Sequence, residues 1–562
     1  MMRPAQKRHM DNALAVQPNI WPEEVHKDYI LGKGSFGTVF KGTCRQQNVA
    51  IKILDKQDLE PKVLESFRRE VEIMANISHP NIVLYLGACT VPGNLMIVTE
   101  LLPRGDLEDM LKNPNINLSM LTRIRMAKDI AMGMNWLHKS NPQFVHRDLK
   151  TKNLLVDQNN NIKICDFGLS QVKSQGQWIR DPPEGAKGTP LWMAPEVLTG
   201  RQFDEKCDVY SYGIVLWCLV TRKEPYEQFN EFEKFRTAVC YQGVRPPIPA
   251  NCQPAMANLI RVCWAGNPAE RPSFDHIIPQ LDHILVDYAI LDDVGRSIWK
   301  NNFLGMEAVP WQDFIEAFKE ALSQYCDTDM ETVFEELPAE PTSAQLQQAT
   351  DVQLNEYASR SIRNSNLVSM EWERRYATSN PGFHAVEPND ELDIQCLRAL
   401  LVSGAAAAEG VDAVVEGEMV TMERFGYMLQ WFGPIIDPVT QQPEIMGRIR
   451  RMLSCPWYHG DISQVQAEDR LRGQVPGTFL VRFSSVPGCY TISSMESDVI
   501  NHRRITHQLG QGYRLGKHAF PTLEALVETC SRPYNLWYPC TGSRFQKIFD
   551  EDCTSGYVQS DA

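Results

Sequence analysis

Several features that would indicate a membrane, secreted or nucleic-acid-binding protein are missing from this sequence. The 562 residues carry a net charge of −14 and an isoelectric point near 5.4, so no long-range positive field would gather nucleic acid or an anionic bilayer. The 15 cysteines include no CxxC pair, which argues against a zinc site or a disulfide framework. The longest apolar stretch, residues 209–220, is too short to span a bilayer and fits a buried helix.

The first residues contain no apolar signal core, and position 2 is Met rather than the Gly that N-myristoylation needs. We therefore expect a cytoplasmic protein. Its length exceeds what one hydrophobic core supports, and 43% apolar residues supply enough material for about three or four folded units. The sequence thus predicts a multidomain globular chain.

A glycine-rich segment lies among strand-like sequence near the N-terminus. Residues 32–39 read GKGSFGTV, and residues 48–52 read NVAIK. A lone GxGxxG is weak evidence, but β-rich sequence on both sides favours a strand-turn-strand lid whose backbone can approach phosphates. Lys52 would supply a charge to those phosphates, and Glu70, in the amphipathic run 66–74, is its expected ion-pair partner.

Three further motifs follow in order: HRDLKTKN at 146–153, DFG at 166–168 and APE at 194–196. A hydroxyl nucleophile needs a carboxylate that orients it and accepts its proton, and Asp148 fits this role. Developing phosphoryl charge needs metal ions, for which Asn153 and Asp166 are the predicted ligands. Four motifs in this order exclude coincidence.

From about residue 28 to 290 the chain resembles the eukaryotic protein kinase family. The resemblance implies ATP as phosphoryl donor and Mg²⁺ as cofactor, with Mn²⁺ as a substitute. It also implies a structural ion pair between Glu196 and Arg271, and a bracing role for Asp208. The nucleotide contacts that it implies are Leu31, Gly32, Gly34, Ser35, Gly37, Val39, Ala50, Lys52, Thr99, Glu100, Leu102 and Leu155.

Two positions bear on which hydroxyl is phosphorylated. Lys150, where a cation can assist the γ-phosphate, and Thr189, which can bond the catalytic aspartate, favour serine and threonine. Other segments resemble the tyrosine-kinase-like branch, so dual specificity stays open. Between Asp166 and Glu196, Ser174 is the preferred candidate for an activating phosphorylation site, with Ser170 as the second choice.

A second motif lies near the C-terminus, where residues 477–484 read GTFLVRFS. In a strand, Phe479 and Val481 fall on one face and Leu480 and Arg482 on the other, so the guanidinium points into the protein. A buried arginine without an acidic neighbour needs an anion. Its planar fork suits a phosphate at the bottom of a pocket, and phosphotyrosine is long enough to reach it.

Residues 457–538 resemble a Src-homology-2 (SH2) domain. The resemblance implies phosphate contacts from Arg482 and Ser484, support from His502 and a second cation from Arg504. The chain departs from the family pattern at Gln464, where an arginine is common. Arg503 either tilts ligand preference toward acidic residues or is a solvated strand arginine.

Residues 291–455 contain no catalytic cluster. Two pieces, 309–318 and 420–429, share a short extended step followed by an apolar helix, so they could form a pair of EF-hand-like units. Neither is preceded by the acidic ligand run that calcium needs. A helical spacer between the two ends of the chain is the preferred interpretation.

The order of motifs resembles the dual-specificity, tyrosine-kinase-like enzymes with a C-terminal SH2 domain. This predicts a multidomain α+β fold: a bilobal kinase, a helical spacer, and an SH2 fold with a central antiparallel sheet flanked by two helices. The predicted divisions are an N-terminal extension at 1–27, a kinase domain at 28–290 with lobes at about 28–99 and 103–290, a spacer at 291–455, an SH2 domain at 457–538 and a tail at 539–562.

The predicted function is transfer of the γ-phosphoryl group of ATP mainly to Ser/Thr, with Tyr left open, on proteins reached through phosphotyrosine. The expected partners are protein substrates and phosphotyrosine proteins, including membrane-associated ones, and not nucleic acid. The alternative is a scaffold with a silent kinase fold that signals through phosphotyrosine binding alone. A lipid or small-molecule kinase is disfavoured by residues 188–190 and 194–196, which shape a peptide platform.

Overall fold

The structure is a computed structural model in which the chain divides into two compact units, residues 1–285 and 286–562. Both units mix helices and sheets, so the predicted α+β class is confirmed. The structure describes residues 20–34, 37–54, 61–91, 93–173, 179, 189–326, 390–402, 418–437, 442–486, 488–497, 499–508, 512–520 and 522–549. Ser35 and Ser174 therefore lie outside the described residues, as do the ends of the chain.

The first unit begins with a five-stranded antiparallel sheet in the order β1-β2-β3-β5-β4. Apolar side chains alternate along β3, where Val49 and Ile51 are fully buried and define the core face. The strands are β1 (Val25–Gly34), β2 (Gly37–Cys44), β3 (Gln47–Ile53), β4 (Tyr85–Cys89) and β5 (Met96–Glu100), and helix α1 (Pro61–Ala75) lies between β3 and β4 in the chain. β1 starts inside the predicted N-terminal extension.

The rest of this unit is mainly helical. Its helices are α2 (Leu107–Lys112), α3 (Met120–Lys139), α4 (Pro195–Leu198), α5 (Lys206–Thr221), α6 (Phe232–Tyr241), α7 (Pro254–Cys263) and α8 (Phe274–Ala289), the last of which continues into the second unit. The apolar stretch 209–220 lies within α5, and Cys207 through Leu219 are buried, which confirms the predicted buried helix. Within the described part of the chain, no helix is long and apolar enough to cross a bilayer.

Four short strands in this unit carry the segments between the helices. They are β6 (Gln143–Val145), β7 (Leu154–Val156), β8 (Ile162–Ile164) and β9 (Gln171–Lys173). β6 pairs with β9, and β7 pairs with β8. The HRD segment lies between β6 and β7, and the DFG segment lies between β8 and β9. The two strand pairs therefore hold these segments next to each other.

The second unit begins with two helix-strand-helix pieces. The first comprises α9 (Asp293–Asn302), β10 (Ala308–Pro310) and α10 (Trp311–Cys326), and the second α11 (Asp390–Leu401), β11 (Met419–Thr421) and α12 (Met422–Phe432). β10 and β11 pair antiparallel, with Val309 opposite Val420. Phe314, Phe318 and Phe425 are fully buried in the core that the two pieces share. Helix α13 (Ile445–Ser454) follows.

The remaining strands form a seven-stranded sheet. They are β12 (Tyr458–Gly460), β13 (Thr478–Phe483), β14 (Cys489–Glu496), β15 (Val499–Gln508), β16 (Gly512–Leu515), β17 (His518–Phe520) and β18 (Tyr538–Pro539). β13 to β17 pair antiparallel in sequence order, whereas β12 and β18 pair parallel with β13. The helices of this region, α14 (Gln464–Leu471) and α15 (Leu523–Cys530), are the two that the sequence predicts.

Two features of this unit bear on the predicted divisions. Residues beyond 538 pack on the sheet, since Phe545 is fully buried and stacks on Tyr458 at 5.7 Å between ring centroids. The helical segment belongs to the same compact unit as the sheet. Trp431 and Phe432 at the end of α12 pack on Phe483 of β13, and these aromatic contacts join the helical segment to the sheet.

Candidate functional site

The ammonium group of Lys52 links three elements of the first unit. On β3, it lies 2.6 Å from Glu70 of α1 and 2.9 Å from Asp166 of the DFG segment. Burial alone would lower the pKa of Lys52, but the two carboxylates outweigh burial and raise that pKa above its usual value. At Asp166, burial raises the pKa, and the Lys52 charge outweighs it and lowers the pKa. Both groups therefore stay ionised at neutral pH.

The glycine-rich motif lies on β1 and β2, which pair antiparallel, and Val39 of β2 is opposite Lys52. Gly32 pairs with Val39, and Gly34 pairs with Gly37. A Cβ at Gly37 would lie 2.2 Å from the carbonyl oxygen of Ile53, so the close approach of β2 to β3 requires glycine there. At Gly32 no atom lies within 4 Å of an added Cβ, which leaves its backbone open to a ligand.

The residues predicted to surround adenine come from both lobes. Ala50 pairs with Thr99 across β3 and β5, and Leu102 follows β5 and is buried. Leu155 lies on β7, where it pairs with Lys163. The Glu100 side chain accepts hydrogen bonds from the backbone of Leu84 and from Lys163, both at 2.7 Å, so it secures this segment by its side chain.

Asp148 is held by three neighbours. Lys150 donates to its Oδ2 at 2.7 Å, and Asn153 donates to the same oxygen at 3.0 Å. Thr189 donates to Oδ1 from both its hydroxyl and its backbone, each at 3.1 Å. The Lys150 ammonium also lies 2.6 Å from the Thr189 hydroxyl. A carboxylate fixed on both oxygens in this way can orient a substrate hydroxyl and accept its proton.

Asp208 of α5 fixes the backbone next to Asp148. It is fully buried, and it accepts hydrogen bonds from the backbone N–H groups of His146 and Arg147, each at 2.8 Å. The His138 ring lies 2.8 Å from its Oδ2. Burial raises the pKa of Asp208, but the His138 hydrogen bond and the neighbouring imidazoles outweigh burial and lower it. The sequence analysis missed His138, because no local pattern connects α3 with α5.

Asn153 and Asp166 present the oxygens that a hard divalent cation prefers. Asn153 donates its amide N–H groups to Asp148, so its amide oxygen is the atom that can face a cation. The Asp166 side chain is 32% exposed and bonds Lys52 through Oδ1, which leaves Oδ2 for a cation. In the described ranges no cluster of three His, Cys, Asp or Glu could hold a metal. Two ligands suit Mg²⁺, which keeps waters and binds substrate phosphates.

The candidate activating residues differ in what the structure describes. Ser170 is 2% exposed and donates to the carbonyl oxygen of His146 at 3.3 Å, so it is not accessible to a second kinase in this conformation. Ser174 lies outside the described residues. Arg147, the cation next to the catalytic aspartate, lies over the Phe203 ring at 5.1 Å.

The second candidate site lies in the second unit, at the C-terminal end of β13. Arg482 is 8% exposed and donates to the Ser493 hydroxyl at 3.4 Å and to the Phe483 carbonyl at 3.2 Å. Among the described residues it has no ion-pair partner at contact distance; burial lowers its pKa, and the charge of the more distant Glu468 offsets this only in part. Because a buried cation that is only partly compensated is costly, this arrangement favours an anionic ligand.

The other predicted phosphate contacts surround this arginine. Arg482, Thr491 and Arg504 are directly opposite one another on β13, β14 and β15, so they share one face of the sheet. Ser484 is buried and begins the loop after β13. His502 lies 2.9 Å from Ser493 through Nδ1, which links it to the Arg482 side chain. The structure therefore brings all four predicted residues to one end of the sheet.

Glu468 on α14 is a further residue of this pocket that the sequence analysis missed. Its Oε1 lies 3.2 Å from the Nε2 of His502 and accepts a hydrogen bond from Gln464 at 2.8 Å. Gln464 stands where the SH2 pattern has an arginine. Here it orients a carboxylate toward the pocket instead of adding a cation.

Arg503 is not a solvated strand residue. It forms an ion pair with Glu496, donates to the Ser494 hydroxyl at 3.0 Å and lies over the Tyr534 ring at 4.9 Å. It points to the opposite face of the sheet from Arg482 and Arg504, since neighbouring strand residues alternate. Its charge is thus fixed next to α15 rather than next to the phosphate pocket.

One cleft of the first unit lies away from the predicted catalytic residues. Its volume is about 1220 Å³, and Arg69 and Ile73 of α1 and Trp136 of α3 line it, together with Phe144. None of the residues predicted to bind ATP or metal lines it.

The two motif sets match two family models. Residues 25–281 match the model described as protein tyrosine and serine/threonine kinase, and residues 457–529 match the model of the SH2 domain.

Relatives with similar sequences extend over most of the chain. The dual specificity protein kinase shkA of Dictyostelium discoideum is 42% identical over 544 residues, which cover 96% of this chain and 93% of that protein. The dual specificity protein kinase shkC of the same organism is 44% identical over 494 residues, 87% of this chain and 86% of that protein. The probable serine/threonine-protein kinase SIS8 of Arabidopsis thaliana is 47% identical, but over only 47% of this chain and 25% of that protein.

Proposed function

The chain belongs to the family of dual specificity protein kinases that carry an SH2 domain, and on this basis we propose that it phosphorylates mainly serine and threonine, and also tyrosine. We propose further that it reaches its protein substrates by binding phosphotyrosine. Protein kinase activity and an SH2 domain are common to the family. The observation that supports the acceptor preference is the contact of Lys150 and Thr189 with Asp148. A cation next to Asp148 would stabilise the charge on the γ-phosphate during its transfer to a hydroxyl.

In the proposed mechanism Asp148 orients the substrate hydroxyl and accepts its proton. Lys52 binds the α- and β-phosphates, and Glu70 holds that lysine in place. Lys150 stabilises the charge that develops on the transferred phosphoryl group. The backbone between Gly32 and Gly37 covers the phosphates. Since the Asp148 carboxylate is already fixed by its neighbours, little reorganisation is needed when the substrate arrives.

We assign the divalent cation to Asn153 and Asp166, with Mg²⁺ as the physiological ion and Mn²⁺ as a substitute. When bound, the cation neutralises charge on the transferring phosphate. The chain contributes one carboxylate and one amide oxygen, and the Lys52 charge keeps that carboxylate ionised.

Phosphotyrosine binds in the pocket of Arg482, Ser484, His502 and Arg504. Docking there raises the local concentration of other sites on the same partner, toward the millimolar range expected for short tethers. Substrate choice then depends on recruitment as much as on the catalytic cleft. We place the protein in the cytoplasm, with recruitment to membrane-associated phosphoproteins by the same pocket. As domain limits we propose a kinase domain from residue 28 to 290 and an SH2 domain from residue 457 to 538. The burial of Phe545 against Tyr458 supports including residues up to 545 with the SH2 sheet.

Phosphoryl transfer tests this proposal. Purified full-length protein incubated with radiolabelled ATP should label itself and a general protein substrate, and Asp148→Asn should lower the rate by about 10²–10⁴-fold, the range for loss of a general base. Lys52→Met should be similarly impaired, while Lys234→Met, whose side chain is 70% exposed on α6, serves as the control. Phosphoamino-acid analysis should show mainly phosphoserine and phosphothreonine. Equal incorporation by wild type and Lys52→Met would establish the silent scaffold instead.

A further inference from the structure

The end of α12 packs directly against the strand that carries Arg482. The Trp431 ring stacks on the Phe483 ring with centroids 3.7 Å apart and an angle of 13° between the planes. Phe483 is 8% exposed and lies between Arg482 and Ser484 in the chain. A side chain of the helical segment therefore covers the residue next to two predicted phosphate contacts.

Trp431 also bonds the base of the loop that follows β13. Its indole Nε1 donates to the carbonyl oxygen of Cys489 at 3.1 Å, and the same oxygen accepts the backbone N–H of Ser484 at 2.9 Å. The Tyr490 hydroxyl donates to the Trp431 carbonyl at 2.7 Å. Trp431 thus contacts Phe483 and Cys489, the residues on either side of the loop that must present Ser484 to a phosphate.

The neighbouring residues make this contact part of a continuous interface. A Cβ at Gly488 would lie 3.5 Å from the carbonyl oxygen of Gln430, so α12 also borders the end of the loop. Asp461, which follows β12, forms ion pairs with Arg424 of α12 at 3.1 Å and with Arg544 at 2.9 Å. Aromatic and ionic contacts together hold the helical pair on the sheet.

From these contacts we infer that the helical pair contributes to phosphotyrosine binding, and that Trp431 is a positioning residue that holds Ser484 and Gly488, the two ends of the loop after β13, in their binding conformation. The inference rests on the proposed phosphotyrosine binding. It gives the segment between the two recognised domains a role in ligand affinity rather than in spacing. Its physical reason is preorganisation, since a loop that is already ordered loses less conformational entropy when the phosphate binds.

The effect of Trp431 is separable from folding of the sheet. Strands β13, β14 and β15 are held by their own backbone pairing, and Arg482 donates to Ser493 and to the Phe483 carbonyl. The Trp431 side chain contacts these strands at the loop end, through the Phe483 ring and the Cys489 carbonyl. Loss of the indole should therefore loosen the loop while the sheet and Arg482 stay in place. A purely structural role would instead change thermal stability without changing affinity in the folded protein.

The test measures binding of a fluorescein-labelled peptide pool with one fixed phosphotyrosine to the full-length protein, by anisotropy at a temperature well below unfolding. Trp431→Ala should raise Kd by about tenfold, as expected for an aromatic anchor. Trp431→Phe, which keeps a ring but loses the N–H donor, should raise it by about threefold. Amide exchange of Ser484, Gly488 and Cys489 should accelerate in both variants.

Trp311→Ala is the matched control. Trp311 is 8% exposed in the core of the same helical pair and packs on Phe314, so its loss destabilises the pair without removing a loop contact. It should leave Kd and loop exchange unchanged. Wild-type affinity in folded Trp431→Ala overturns the inference, and if that variant does not fold, wild-type affinity in Trp431→Phe does so. Retained binding in Arg482→Ala would overturn the proposed phosphotyrosine site instead.

Discussion

His459 is a single residue whose protonation should control the stability of the second unit. It is 1% exposed, its Nε2 lies 2.8 Å from the carbonyl oxygen of Cys540, and Arg470 contacts its Nδ1. The ring must be neutral to accept from Arg470 and donate to Cys540. Burial, and to a smaller extent the Arg470 charge, lowers the pKa of His459 below 6.5.

A histidine of this kind makes stability depend on pH in a defined direction. Below pH 6.5 the unfolded chain binds a proton that the folded chain excludes, so the free energy of unfolding falls as the pH falls. Replacing His459 by Gln should reduce that slope by at most about 1.4 kcal/mol per pH unit. Denaturant unfolding of the full-length protein between pH 7.5 and 5.5 measures it. His518→Gln, at an exposed position on β17, is the control, and an unchanged slope in His459→Gln would refute the assignment.

Single residues also show what sequence alone could and could not predict. Lys52, Asp148 and Arg482 stand in motifs whose chemistry is local, so their predicted roles follow from spacing. Glu468 could not be assigned, because its proximity to His502 arises only when α14 packs on the sheet. A family pattern predicts the residues that a chain has in common with the family. It does not predict how neighbouring residues change where the chain departs from the pattern, as at Gln464.

At the scale of helices and strands, close approach of backbones explains several positions that a hydrophobic pattern does not. α12 lies against the end of α8 at Gly426, where a Cβ would be 1.9 Å from the carbonyl oxygen of Ala289. The apolar period of α12 predicts its buried face, and Phe425 and Leu429 follow it. The need for glycine between them comes from a partner helix that is distant in sequence.

This contact gives a prediction about α12. Gly426→Ala must push the helix away from a rigid carbonyl, so it should lower the free energy of unfolding of the second unit by about 1–3 kcal/mol. Gly447→Ala, on α13, is the matched control, because no atom lies within 4 Å of the added Cβ. That substitution should stabilise by about 0.5–1 kcal/mol through helix propensity. Chemical denaturation measures both, and a neutral Gly426→Ala would show that α12 is not held there.

The sequence of the helical segment predicts a spacer because only its local structure can be recognised. Each of its two short extended pieces precedes a periodic apolar run, so the sequence predicts the helices and allows the two pieces to pair. Its attachment to the sheet is not visible, because the Trp431 and Phe483 rings meet over a separation that leaves no periodic signal. Local sequence patterns predict individual helices and strands. Contacts between helices and strands that are distant in sequence are seen only in the folded structure.

At the scale of the whole molecule, the chain has two compact units, and each carries one of the two proposed phosphate sites. We therefore expect unfolding in more than one step, since units with separate cores need not unfold together. A non-hydrolysable ATP analogue with Mg²⁺ should stabilise residues 1–285, and a phosphotyrosine peptide residues 286–562. At 100 times Kd each ligand should add about 2.7 kcal/mol to its own unit. Calorimetry combined with amide exchange measures this, and one transition that both ligands shift equally would contradict it.

The burial of Phe545 against Tyr458, together with the cover that Trp431 gives Phe483, has a practical consequence for protein engineering. A chimeric reporter built by grafting only residues 457–538 onto another enzyme would lack Trp431 and Phe545. It would expose the Tyr458 and Phe483 rings to water and create an apolar patch that favours aggregation. A segment that starts before α9 and ends after Phe549 would keep both rings covered.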